Sequence, residues 1–94
     1  MFLGCYHFDG DPTRLLEGYE RMRATYPAES LDLHVCIVRD GGISVYDACP
    51  DRETFESFSS SADLAAVLAA ADLPSARIER IGEVYAAIPV PRGS

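Results

Sequence analysis

The side chains best placed to do chemistry are His7, His34 and Asp47. His34 lies between Asp32 and Cys36 at i±2 in an otherwise apolar run. An imidazole exchanges protons near neutral pH, so His34 can take a proton from an acidic phenol or carbon acid. The other reading is a histidine packed at a subunit interface and held by one hydrogen bond. His7 falls in the first apolar run and either lines a cavity or ends a strand at the sheet rim. Asp47 stands two residues before Cys49 and shares its strand face. A carboxylate facing an apolar cavity can act as a base or orient a histidine; the alternative is a surface or turn-capping Asp. Cys36, roughly 6–7 Å along the strand from His34, is the candidate thiol nucleophile, with His34 as its thiolate-stabilising neighbour. Tyr85 belongs to the same expected cavity, where its hydroxyl would fix a polar ligand atom. The ligand-contacting set is therefore His7, His34, Cys36, Asp47 and Tyr85. Cys5, Cys36 and Cys49 come from different strands with no ligand spacing, so no metal site is expected. The chain has no lysine, which excludes Schiff-base chemistry with a lysine.

These residues need elements to hold them. Phe2 to Phe8 is short, aromatic and closed by Asp9-Gly10, and reads as a strand. Asp11-Pro12 is a strong helix start, because Asp caps well and Pro at the first position gives up an N–H that had no partner. Leu15, Leu16, Tyr19, Met22 and Tyr26 then form one helical stripe, and Pro27 ends it. Leu31, Leu33, Val35 and Ile37 alternate with Asp32, His34, Cys36 and Val38. That pattern predicts a strand with the first set against the helices and His34 and Cys36 on the opposite face. Asp40-Gly41-Gly42 predicts a tight hairpin and supplies its positive φ angles, and Ile43 to Cys49 is the returning strand. Asp51 caps a second helix with Phe55 and Phe58 on one face. Ser59-Ser60-Ser61 weakens that helix and Asp63 recaps it, before Leu73-Pro74 stops it. Arg77 to Ile88 is the last strand.

The order is β-α-β-β-α-β. It predicts an α+β, ferredoxin-like fold: a four-stranded antiparallel sheet with two helices on one face. Residues 1–89 form one domain. Residues 90–94, Val-Pro-Arg-Gly-Ser, match most of a thrombin site and read as a processing remnant. The helix-free face would carry Cys5, His7, His34, Cys36 and Tyr85, too apolar for bare solvent, so a second copy should cover it.

Composition narrows the partners. Eight basic and fifteen acidic residues give a formal charge of −7, which argues against nucleic acid and anionic membranes. No apolar run approaches the roughly 20 residues of a transmembrane helix, and no signal peptide is visible. An odd number of unpaired cysteines suits the reducing cytoplasm.

The run from Ile43 through Tyr46, Asp47, Cys49 and Pro50, followed by Asp51, Glu53, Phe55 and Phe58, resembles the third strand and second helix of dimeric α/β-barrel proteins. These include the antibiotic-biosynthesis-monooxygenase-like and stress-responsive barrel groups. The resemblance implies a homodimer whose sheets face each other across a cavity, and it implies no single reaction. Cys49 stands where many members have Trp. The haem-degrading members pair that Trp with an Asn on the first strand and a His on the second helix, and none of the three is present here. No haem or other cofactor is therefore expected. Two functions from different classes follow. One is a cofactor-independent enzyme, of oxygenase or isomerase type, acting on a small apolar or aromatic molecule with His34, His7 or Asp47 moving a proton. The other is a non-catalytic dimer that binds a small ligand, or is purely structural with a filled cavity. A regulatory module sensing a metabolite is a third reading. An open pocket of about 300 Å³ or more with converging polar groups favours the enzyme.

Overall fold

The computed structural model describes residues 1–25 and 32–88. Tyr26, Pro27 and Leu31, to which the sequence assigns parts in the first helix and second strand, lie outside them, as does the 90–94 tail. The described elements are β1 (Phe2–Asp9), α1 (Pro12–Thr25), β2 (Leu33–Arg39), β3 (Gly42–Cys49), α2 (Arg52–Ser59), α3 (Ala62–Ala70) and β4 (Arg77–Glu83). Every strand pair is antiparallel, in the order β2-β3-β1-β4. The fold is thus α+β with an open four-stranded sheet, and its strand order is that of a ferredoxin-like fold. Three helices are described where two were expected.

The core forms on one face of the sheet. Phe2, Tyr6 and Phe8 of β1 and Ile43, Val45 and Cys49 of β3 meet Leu15 and Tyr19 of α1, Phe55 of α2, and Leu64 and Leu68 of α3. Phe55 is fully buried at the centre, with ring centroids 5.5 Å from Phe2 and 5.7 Å from Tyr6. Gly4 lies between those two aromatics on the same face, and any Cβ there would collide with the Phe55 ring.

The helix boundaries follow from capping. Asp11 accepts the Arg14 N–H at 3.2 Å, and Asp51 accepts that of Thr54 at 2.7 Å, as expected of caps. The serine run does more than weaken the second helix. It divides it, and Ser61, rather than Asp63, caps α3 by accepting the Leu64 N–H at 3.2 Å. A hydroxyl directly ahead of the turn reaches the open N–H groups, whereas Asp63 is already inside it. α3 ends before Leu73-Pro74. Asp72 takes φ 59°, and the N–H groups of Asp72 and Leu73 return to the carbonyls of Ala69 and Leu68. This pair of bonds satisfies the open carbonyls and folds Leu73 into the core. Arg21 of α1 then donates twice to the Ala71 carbonyl, tying the two helices together.

Two strand expectations are corrected. In the hairpin only Gly41 takes a positive φ, 80°. The last strand stops at Glu83 instead of reaching Ile88, because its one neighbour, β1, begins at Phe2, which pairs with Glu83. The Val84 N–H makes a final bond to the Met1 carbonyl.

At the hairpin end of the sheet, Asp9 accepts from Arg77 (3.0 Å) and Arg39 (2.9 Å). Arg77 first, then Arg39, holds its carboxyl down from 3.8 to about 2. A depressed folded-state value means the ion pairs contribute fully above pH 3.8 and are lost as pH falls through about 2. Asp9→Asn should therefore lower thermal stability modestly above pH 3.8, leave it nearly unchanged below about pH 2, and so flatten the acid arm of a stability profile across that window. Gly4→Ala should lower stability by about 1–3 kcal/mol, the range for overpacking, measured by thermal or urea unfolding.

Candidate functional site

The β1–β3 register decides where each candidate points. Phe2, Gly4, Tyr6 and Phe8 oppose Cys49, Asp47, Val45 and Ile43, so Asp47 faces the helices. β2 then follows β3: His34 opposes Asp47, and Cys36 opposes Val45. His34 and Cys36 therefore face the helices, and Leu33, Val35 and Ile37 face away. This reverses the expectation. β2 is apolar on both faces, and the core face of β3 chooses between them. Asp47 and Cys49 do share a face, but it is the core side.

The consequence is a continuous polar chain between β3 and α1. The His34 Nδ1–H donates to Asp47 Oδ1 at 2.5 Å. A carboxylate cannot donate, so this proton belongs to the ring, and Nε2 is left to accept the Tyr19 O–H at 2.6 Å. The two rings stack at 5.8 Å, 10° apart. Arg23, one turn further along α1, donates to the Tyr19 oxygen at 3.5 Å. The side chains of His34 and Asp47 keep 12% and 11% of their surface exposed and Tyr19 is buried, so the chain is largely shielded from solvent. Burial pushes the Tyr19 phenol up, and the Arg23 bond offsets part of that rise. A carboxylate orients a histidine, and the histidine takes a proton from a hydroxyl: this is the order of groups used in nucleophile activation, with a phenol at the end. Cys36 shares the face, but burial raises its thiol, which keeps it from being a thiolate. Burial does the same to Cys5 and Cys49.

His7 faces the other way. Its Nε2–H donates to Glu79 at 2.8 Å, and its Nδ1 accepts the Ser44 hydroxyl at 2.8 Å. Arg39 in turn donates to the Ser44 oxygen at 2.9 Å. The order acid–histidine–serine invites a nucleophile reading. Against it, Ser44 is only 3% exposed and its oxygen is engaged by both neighbours. This chain is a polar ladder across β2, β3, β1 and β4. Tyr85 lies past the end of β4 with its side chain fully in solvent, 103% exposed. The structure thus joins His34 to Asp47, sets His7 on the opposite face and separates Tyr85 from all of them.

Sequence reasoning missed Tyr19, Ser44, Glu79 and Arg39. Tyr19 sits in the apolar stripe of α1, where spacing marks it as packing, and its hydroxyl role depends on the face taken by β2. A groove of about 270 Å³ runs between α3 and β4, lined by Leu64, Leu68, Leu73, Ser75, Ala76 and Ile78 among others, and none of the candidates borders it. Among the described residues, no cluster of three or more His, Cys, Asp or Glu side chains could hold a metal ion. All three cysteines are free thiols, and no described helix is long and apolar enough to cross a membrane. In comparisons with protein-family models, curated proteins and solved structures, nothing matches this chain.

Each link of the helix-side chain leaves a buried group unpaired when cut. Tyr19→Phe and His34→Ala should each lower stability by about 1–3 kcal/mol. The double variant should lose less than their sum, because both break the same bond. A double-mutant cycle by urea unfolding measures this.

Proposed function

We propose that this protein is a homodimeric acid–base enzyme, of oxygenase or isomerase type, that acts on a small apolar or aromatic molecule without a cofactor. The observation that carries the reading is the Asp47–His34–Tyr19 chain, 2.5 and 2.6 Å per link. In the proposed step the Tyr19 oxygen takes a proton from an acidic C–H or phenolic O–H of the substrate. The phenol proton passes at the same time to His34 Nε2. Asp47 stabilises the imidazolium, and Arg23 steadies developing charge on the phenol oxygen. The substrate leaves the step as its carbanion or phenolate, ready for isomerisation or reaction with oxygen. The relay moves a proton with the chain's own groups and calls on no metal or prosthetic group.

The dimer part rests on the helix-free face. Leu3, Leu33, Val35, Ile37 and Tyr46 give it an apolar strip, and no described helix covers it. The polar end of that face is balanced: Arg39 and Arg77 against Asp9 and Glu79. Two copies each carrying −7 can therefore meet there without the repulsion their net charge implies. Free thiols support a cytoplasmic location. A second reading, a dimer that binds a ligand without catalysis, is favoured by one fact: Tyr19, His34 and Asp47 already satisfy one another.

Two measurements test these parts. Light scattering after gel filtration should give close to twice 10.2 kDa, and Ile37→Arg should shift it toward the monomer. A panel of phenols and enolisable ketones in deuterated buffer, followed by NMR, should show C–H exchange faster with the wild type. His34→Ala and Tyr19→Phe should remove that acceleration. Compounds that shift the Tyr19 and His34 resonances without any accelerated exchange would favour the binding dimer. No shift and no exchange would overturn both readings of this site.

A further inference from the structure

The serine run that divides the second helix also shapes the groove between α3 and β4. α2 ends at Ser59 and α3 begins at Ala62. α3 lines the groove with exposed Ala65 and Ala69, where larger side chains would close the gap. Beneath them Leu64, Leu68 and Leu73 are buried, and Ile78 supplies the β4 side. The left-handed turn at Asp72 is what folds Leu73 inward.

None of the described residues that line the groove carries a charge, in a chain of formal charge −7. A charged occupant would give up water there and meet no group of opposite sign, so the groove suits a neutral molecule. Its 270 Å³ is the space of about nine waters, which fits a single ring with one or two substituents.

The polar part of the groove has a definite hydrogen-bonding sense. The Ser60 hydroxyl donates to the Glu56 carbonyl at 2.6 Å, and the Ser61 hydroxyl to the Phe58 carbonyl at 2.7 Å. Ser59 also donates to the Glu56 carbonyl, at 3.4 Å. Carbonyls only accept, so these three protons are spent within the chain. What the oxygens have left is lone pairs, even on Ser61, which spends one on the Leu64 N–H. The fourth serine, Ser75, belongs to the loop before β4. The α2–α3 junction therefore meets an occupant as an acceptor and calls for a donor.

We propose that the α3–β4 groove binds a small uncharged hydroxyl compound of the size of a substituted phenol. Its apolar body lies on the leucines, and its O–H donates to the serine oxygens. The site is separate from Tyr19, His34 and Asp47, and the inference depends on neither the enzyme nor the dimer reading.

Methyl NMR on the full chain tests it, with p-cresol as the probe. The methyl signals of Leu64, Leu68 and Ile78 should shift and saturate. The probe p-methylanisole keeps the ring but has no proton on its oxygen, and should bind about fivefold more weakly. The charged p-toluate should leave these methyls unmoved at the same concentrations. Ala69→Phe puts a ring into the groove from an exposed position and should abolish the p-cresol shifts, with near-UV circular dichroism confirming its core. Methyls unmoved by p-cresol, or moved equally by p-toluate, overturn the site. Shifts confined to Tyr19 and His34 belong to the other chain of groups and overturn it too. Equal affinity for p-methylanisole overturns the donor assignment, and unchanged p-cresol binding by a folded Ala69→Phe overturns the groove.

Discussion

The pairing of β1 with β3 governs the rest of the molecule. Phe2 against Cys49, Tyr6 against Val45 and Phe8 against Ile43 bring six apolar side chains to one face, and Phe55 closes over them. Once that face is chosen, the period of two in a strand leaves no freedom elsewhere. Asp47 must point at the helices although it is charged, and β2 must follow β3 although its larger residues then face away. The candidate site is a by-product of this register. Asp47 is carried into the core layer by its neighbours, and it is tolerated there because His34 pairs with it and Tyr19 in turn pairs with His34.

The two histidines show how one sheet supports two different polar chains. His34 works between the sheet and α1, where little water reaches and a phenol is held at its far nitrogen. His7 works on the other face, where serine and glutamate from two other strands engage it and an arginine from a third strand holds the serine. Both rings have both nitrogens occupied, so both are held in one tautomer and orientation. The difference lies in what stands at the end of each chain. Tyr19 ends the first with a hydroxyl that can give up or take a proton. Arg39 ends the second with a guanidinium that remains charged.

The helix layer is tied down by ends as much as by packing. The Asp51 and Ser61 caps, the left-handed Asp72 and the Arg21 clamp on Ala71 set where α2 and α3 start and stop. Those positions keep α1 against β3, and so keep Tyr19 within reach of His34. No described helix covers the opposite face of the sheet, and its apolar strip is made of the residues that a strand pattern taken alone would bury.

The sequence by itself determined the element order, the helix starts at Asp11-Pro12 and Asp51, the hairpin at Asp40-Gly41, and hence the α+β antiparallel fold. Each of these is a local matter of capping, φ preference or periodicity, legible within a few residues. It also singled out His34 and Asp47 as residues worth attention. Only the tertiary structure decided that they touch, that Tyr19 completes them, and that His7 and Tyr85 do not. Those outcomes depend on which face of β2 and β3 meets the helices, and β2 is apolar on both, so its own pattern carries no unique answer. The end of β4 was undecided for a related reason: residues 84–88 have the composition of a strand, but a strand needs a neighbour, and β1 supplies none beyond Phe2.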